Sequence, residues 1–208
     1  MKTAEMMGRE EDKLTGANII YSCMQVADIF MLGANITQLG MDQRKLNMLA
    51  REIGPLLGFW KPVVVSHHML MWLNKPGEKT DDKVKRSIDM KMSKSNPDSA
   101  IFMTDTTEDI KRKINKAWCL EGEVEDNPVL EYCKYIIFES NKSLTIERSE
   151  KFGGNLTINS YEELEKKFAA KEIHPQDLKV SVASELDKLL QPVREHFEKN
   201  EAAKKLLE

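Results

Sequence analysis

Lys91, Ser93, Lys94 and Ser95 stand within one pentapeptide, Lys-Met-Ser-Lys-Ser, which sets two ammonium groups beside two hydroxyls. On a loop such a set suits a polyphosphate, with the lysines supplying charge and the serines hydrogen bonds. At average amino-acid usage, five specified residues turn up in a chain this long with a probability of about one in ten thousand. The plainer alternative is a solvated Lys/Ser loop. A second set lies upstream, where Tyr21, Gln25 and Asp28 fall within about 60° of one another on a helical period. They form one polar stripe on an otherwise apolar segment. Either the three satisfy one another and nearby backbone, or they face a pocket for a polar ligand carrying a cation and a donor. An amino acid fits that description.

The elements that must carry these groups follow from periodicity. Residues 17–32 are apolar almost all round, which predicts a buried helix ended by Gly33. A second helix is predicted from Asp42 to Ile53, with Leu46, Leu49 and Ile53 on one face and a stop at Gly54-Pro55. The β-branched run from Lys61 to Ser66 predicts a parallel strand covered on both faces. From Asn74 to Asp89 the chain is polar and broken by Pro76-Gly77, so the pentapeptide is expected at the end of a long exposed loop. Beyond it, Thr106 or Thr107 caps a helix running to Trp118, with Ile110, Ile114 and Ala117 inward and Glu108–Arg112 and Asp109–Lys113 as outward pairs. Asn127-Pro128 opens a helix to Phe138. Leu144, Ile146, Leu156 and Ile158 flank Gly153-Gly154 as a small hairpin. Ser160 and Glu163 form a capping box for a helix through Lys171. His174-Pro175 starts a long helix carrying Leu178, Val182, Leu186, Leu189 and Val193, with Pro192 near its end.

Composition narrows the function classes. With 41% apolar and 31% charged residues, the 208-residue chain has the makeup of an ordinary soluble protein, expected in the cytoplasm. No run of about 18 apolar residues and no signal-like start is present, so no membrane is implied. Cys23, Cys119 and Cys133 have neither disulfide arithmetic nor metal-ligand spacing, and are expected as reduced, mostly buried thiols with no bound metal. A net charge of −3 gives no global pull on nucleic acid, so any RNA site must be a local patch.

The motifs together resemble the tyrosyl-tRNA synthetases of archaeal and eukaryotic type. The pentapeptide is similar to the KMSKS signature of class I synthetases, whose lysines stabilise the pyrophosphate leaving group of ATP. Tyr21-Ser-Cys-Met-Gln25-Val-Ala-Asp28-Ile resembles the helix of the tyrosine pocket, and Gly40-Met41-Asp42-Gln43-Arg44-Lys45 the segment that follows it. The resemblance implies that Tyr21, Gln25 and Gln43 hold the ammonium and carboxylate of tyrosine, and that Asp28 accepts from its phenol. A buried acceptor at that place is the known logic by which tyrosyl-tRNA synthetases reject phenylalanine. Lys151 to Thr157 and His174 to Lys179 resemble the anticodon clamp. Phe152 and His174 would stack on a splayed base, and Asp177 would accept from the Watson–Crick edge of a guanine. Taken alone, Phe152 also reads as a core aromatic, and His174-Pro175 with Asp177 as a helix start with an acidic first turn. Lys151, Lys166, Lys167, Lys171 and Lys179 could meet phosphates, or form a solvated face.

The fold this implies is α/β, the second part of a Rossmann-like nucleotide-binding domain over residues 1–110, followed by a mainly α-helical anticodon-binding domain over 111–208. The implied partners are L-tyrosine, ATP carried with Mg2+, and tRNA(Tyr), with a homodimer for the intact enzyme. No HIGH-type motif is found, since the four histidines are His67, His68, His174 and His196. The resemblance is therefore expected to cover the later part of the family's enzyme, and the chain to need the missing half for activity. A catalytically silent tRNA-binding half of a tandem synthetase and a tryptophanyl-tRNA synthetase are the alternatives.

Overall fold

The structure, a computed structural model, describes residues 16–77, 92 and 96–205. These residues form two compact units that part between Met69 and Leu70. Residues 70–77 and 96–110 thus pack with the C-terminal helices, and the line of packing falls well before the division at 110 read from sequence.

In the first unit, α1 (Gly16–Met31) leads into β1 (Ile36–Gly40), a 3-10 turn at Met41–Gln43, α2 (Arg44–Ile53) and β2 (Val63–His67). The strands pair in parallel with Ile36 opposite Val63 and Gly40 opposite His67. β1 was not foreseen from sequence. Val26, Ile29 and Phe30 of α1 meet Leu46 and Ala50 of α2 in one small core, flanked by Trp60. Phe30 stacks on Phe59 with centroids 4.7 Å apart, and the Trp60 indole N–H donates to the Ala34 carbonyl at 3.1 Å.

Two expectations are corrected here. α1 is not buried all round: Ile20, Met24 and Met31 lie exposed along one side, and Cys23 is an exposed thiol. β2 is not covered on both faces either, because Val63 and Val65 are exposed while only the intervening residues are half-buried. Apolar pattern names the residues able to pack; it does not supply the layer that packs on them.

The second unit contains α3 (Thr107–Lys116), α4 (Pro128–Tyr132), which continues through a π turn at Cys133–Ile137 into α5 (Phe138–Ser140), the hairpin β3 (Leu144–Ile146) and β4 (Leu156–Ile158), then α6 (Tyr161–Ala169), α7 (Pro175–Lys199) and α8 (Glu201–Lys204). The caps are the ones the sequence announces. Thr106 Oγ1 accepts from Asp109 N, Asn127 Oδ1 from Val129 N and Leu130 N, and Ser160 Oγ from Glu163 N. The reciprocal arm of the Ser160 box goes one residue further back, from Asn159 N to the Glu163 carboxylate. β3 and β4 are antiparallel, with Leu144 opposite Ile158. Ile110, Ile114, Ile137, Leu144, Ile158, Phe168 and Leu178 are fully enclosed in one core.

The surface pairs foreseen on α3 do not form as written. Lys113 turns inward, donating to both oxygens of Asp105 at 2.8 and 2.6 Å and to the Ala100 carbonyl at 3.0 Å. Arg112 joins Asp98 at 2.6 Å and Asp109 at 3.1 Å. These bonds tie residues 98–105 to α3.

Candidate functional sites

The first site lies in the first unit. α1 presents Gln25 and Asp28 to a cavity of about 240 Å3, whose far walls are Thr37 and Gln38 of β1 and Leu46 and Asn47 of α2. The Gln25 side-chain amide donates to Gln43 Oε1 at 2.8 Å across 18 residues, and Gln43 in turn donates to Asp42 at 3.2 Å. Gln25 Oε1 is buried with no hydrogen-bond partner among the described residues. Such an acceptor is costly to bury and is available to a donor such as an ammonium. Gly40 precedes the 3-10 turn, and a Cβ there would stand 2.7 Å from Asp42 Oδ1 and 3.2 Å from Met69 Cγ, so a side chain would crowd that turn.

Of the four residues predicted for this site, Gln25 and Asp28 line the cavity, and Gln43 is joined to it through the bond from Gln25. Tyr21 is 56% exposed on α1 and is not part of the cavity wall. Asp28 is itself exposed, so the desolvation that would sharpen its choice of a phenol is not supplied by the described residues. Sequence reasoning missed Asn47, which is 1% exposed and whose Nδ2 has no partner among the described residues. It lies one helical turn beyond Gln43, a spacing that could have pointed to it.

The second site lies wholly in the second unit. A cavity of about 480 Å3 gathers Phe152, His174 and Asp177, with Arg148, Lys171 and Glu172 around them. Phe152 ends a short 3-10 turn, Glu150–Phe152, and is 66% exposed, so the reading of it as a core aromatic is set aside. Lys151 holds its ammonium 5.9 Å from the Phe152 ring centroid. Gly153 and Gly154 follow at φ of +92° and +72°, a left-handed pair that turns the chain back toward β4. His174 is the N-cap of α7, its Nδ1 accepting from Gln176 N at 3.1 Å. With Nδ1 so used, Nε2 is the ring nitrogen left without a hydrogen bond among the described residues. Asp177 sits half-buried in the first turn of α7, and its carboxylate accepts no hydrogen bond among the described residues.

Of the lysines named as possible phosphate contacts, two are engaged. Lys179 donates to the Asn115 carbonyl at 3.0 Å, and Lys167 pairs with Glu172 at 3.2 Å. Lys171 lines the cavity from a left-handed backbone at φ +59°, and Gly122 leaves room for its stem, since a Cβ there would stand 3.1 Å from Lys171 Cε. Burial pushes the Cys119 thiol upward, and far more strongly that of fully enclosed Cys133. Lys91, Ser93, Lys94 and Ser95 lie outside the described residues; Met92 between them packs against the core of the second unit. Among the described residues no group of His, Cys, Asp and Glu is arranged to hold a metal, and no helix is long and apolar enough to cross a membrane.

Residues 1–191 match the family model for class I tRNA synthetases of the tryptophan and tyrosine type. A cytoplasmic tyrosine–tRNA ligase of Arabidopsis thaliana is 48% identical over all of this chain and 26% of its own length. The tyrosine–tRNA ligase of Thermococcus sibiricus is 46% identical over 96% of this chain and 57% of its own. The chain belongs to the tyrosyl-tRNA synthetase family, in its archaeal and eukaryotic form. Among solved structures, the tyrosyl-tRNA synthetase of Pyrococcus horikoshii with L-tyrosine superposes at a TM-score of 0.85, with 41% identity, covering 96% of this chain and 58% of that one. The class I synthetase fold is thus shared, and the chain spans between a quarter and three fifths of the length of these relatives.

Proposed function

We propose that this chain forms part of a tyrosine–tRNA ligase, supplying one wall of the tyrosine pocket, the KMSKS loop and the anticodon clamp. The observation that carries the reading is that Gln25 and Asp28 line one cavity, with Gln43 bonded to Gln25 beside it, in a chain with tyrosine ligases as relatives. Gln25 and Gln43 meet the ammonium and carboxylate of tyrosine, and Asp28 accepts from its phenol. In the first step the tyrosine carboxylate attacks the α-phosphate of Mg-ATP, the new O–P bond forms and pyrophosphate leaves. In the second the terminal ribose hydroxyl of tRNA takes the tyrosyl group and AMP leaves. The protein contributes position and charge rather than covalent chemistry. Lys91 and Lys94 are the cations for the departing pyrophosphate, and Ser93 and Ser95 shape their loop. Phe152, His174 and Asp177 take the first anticodon base.

Tyrosine is favoured over tryptophan by the names of the relatives and by a carboxylate suited to a phenol. The test is charging of tRNA(Tyr) transcripts with labelled tyrosine or tryptophan, by the chain supplied with the share of a relative's length that it does not match. Tyrosine charging that falls when guanine at the first anticodon position is replaced by adenine is the expected result. Charging with tryptophan, or charging indifferent to that base, would overturn the proposal.

A further inference from the structure

Arg148 is absent from every motif that marks the second site, yet its bonds run between the two turns that build it. Its Nε donates to the Gly154 carbonyl at 3.0 Å, on the turn that carries Phe152. Its Nη1 donates to the Glu172 carbonyl at 3.1 Å, two residues before His174. Its own backbone N–H donates to Asn155 Oδ1 at 3.2 Å, and Gly154 N donates to the Ser149 carbonyl at 3.1 Å, closing the Phe152 turn upon itself. The Glu172 end is held as well, by Glu172 N to the Lys167 carbonyl at 2.9 Å and by the Lys167 ion pair. Phe152 and His174 are thus mounted on two separately braced turns, and Arg148 is a half-buried bond between them that itself lines the cavity.

We propose that Arg148 is the positioning residue of the anticodon cavity: its planar guanidinium fixes the separation of the Phe152 and His174 rings and thereby the place where Asp177 meets the base. The proposal rests on the anticodon reading given above. The geometry asks for arginine in particular, because two N–H groups pointing in different directions from one rigid plane reach two carbonyls at once. A lysine ammonium offers one point charge on a flexible stem and can satisfy one carbonyl well. Both acceptors are main-chain atoms, so what Arg148 transmits is backbone position rather than chemistry of its own.

The test is direct titration of the 208-residue chain and its Arg148→Met and Arg148→Lys variants with two anticodon stem-loop RNAs, alike except for guanine or adenine at the first anticodon position. Circular dichroism and thermal melts accompany each titration. The parent is expected to prefer guanine. Arg148→Met, keeping the apolar stem, is expected to bind the guanine stem-loop at least about tenfold more weakly and to narrow the guanine-to-adenine ratio, with Arg148→Lys between the two. A folded Arg148→Met variant with both constants unchanged would overturn the proposal and leave the anticodon reading standing, whatever its melting temperature. A parent that fails to prefer guanine overturns the anticodon reading itself, and the proposal with it. Should Arg148→Met not fold, Arg148→Lys decides: parent-like affinity and ratio would refute the positioning role.

Discussion

The Lys113–Asp105 pair allows a quantitative test of how the second unit holds residues 96–105, the stretch that follows the KMSKS motif in sequence. The Lys113 side chain is 3% exposed and that of Asp105 10%, and the ammonium has both carboxylate oxygens and the Ala100 carbonyl within 3.0 Å. Asp105 also accepts from Phe102 N at 2.9 Å, so the carboxylate closes a turn as well as a charge. Removing one member of a buried pair leaves its partner as an uncompensated charge, which costs about 3–5 kcal/mol. Asp105→Asn keeps one oxygen, which in the place of Oδ2 can still accept from Phe102 N and the ammonium while the NH2 replaces Oδ1, placing it at the lower end, about 3 kcal/mol. Lys113→Met fills the space with an apolar chain but strands a carboxylate that retains the Phe102 bond and some solvent, again about 3 kcal/mol. The double variant strands neither charge, so its loss is expected near that of one single variant, giving a coupling of about 3 kcal/mol. Urea unfolding followed by far-ultraviolet circular dichroism reads this directly. Each single variant should lower the midpoint by about 1–2 M, and the double variant by about the same amount. A double variant whose loss equals the sum of the singles would refute the claim that the two charges exist for each other.

Asn127 is 1% exposed, caps Val129 N and Leu130 N, and donates to the Glu123 carbonyl at 2.9 Å; Asn127→Ala should therefore cost about 1–3 kcal/mol in the same urea assay. In the native chain a thiol reagent should modify exposed Cys23 first and fully buried Cys133 only after unfolding, as followed by mass spectrometry of the labelled peptides. The Arg112 hydrogen bond holds the Asp98 carboxyl below its ordinary value, and the Thr106 hydroxyl does so for Asp109, followed by Arg112. Carboxyls depressed in the folded state contribute stability above their unfolded pKa and lose it as pH falls through the folded one. The start of α3 should therefore loosen below the ordinary carboxylate range, seen as lower amide protection factors there once the intrinsic exchange rate at each pH is divided out, and Asp98→Asn should weaken that dependence.

What the sequence disclosed were features written in neighbouring residues. Thr106, Asn127, Ser160 and His174 each cap a helix because the side chain and the amides it meets lie within three residues. The β3–β4 hairpin was legible because its alternation brackets a glycine pair with the positive φ such a turn needs. What stayed hidden depends on residues distant in sequence or on main-chain atoms. Lys113 was expected beside Asp109 on the surface, but Asp105 offers a buried carboxylate with both oxygens in reach. Arg148 left no trace because any residue can offer the carbonyls it binds. β1 was missed since Ile36-Thr37-Gln38-Leu39-Gly40 is short and mixed, and becomes a strand through its parallel pairing with β2. The exposure of Ile20, Met24 and Val63 was hidden for the opposite reason: an apolar pattern reads the same whether or not a layer covers it.

The identity of the amino acid is the centre of the account. It is tested most directly by amino-acid-dependent exchange of labelled pyrophosphate into ATP, with the chain supplied with the share of a tyrosine–tRNA ligase that it does not match. Exchange with tyrosine, none with tryptophan, and loss of the rate in Lys94→Ala with little change in tyrosine affinity are the predicted results. Exchange with tryptophan, or a Lys94→Ala variant that loses tyrosine affinity as much as rate, would contradict it.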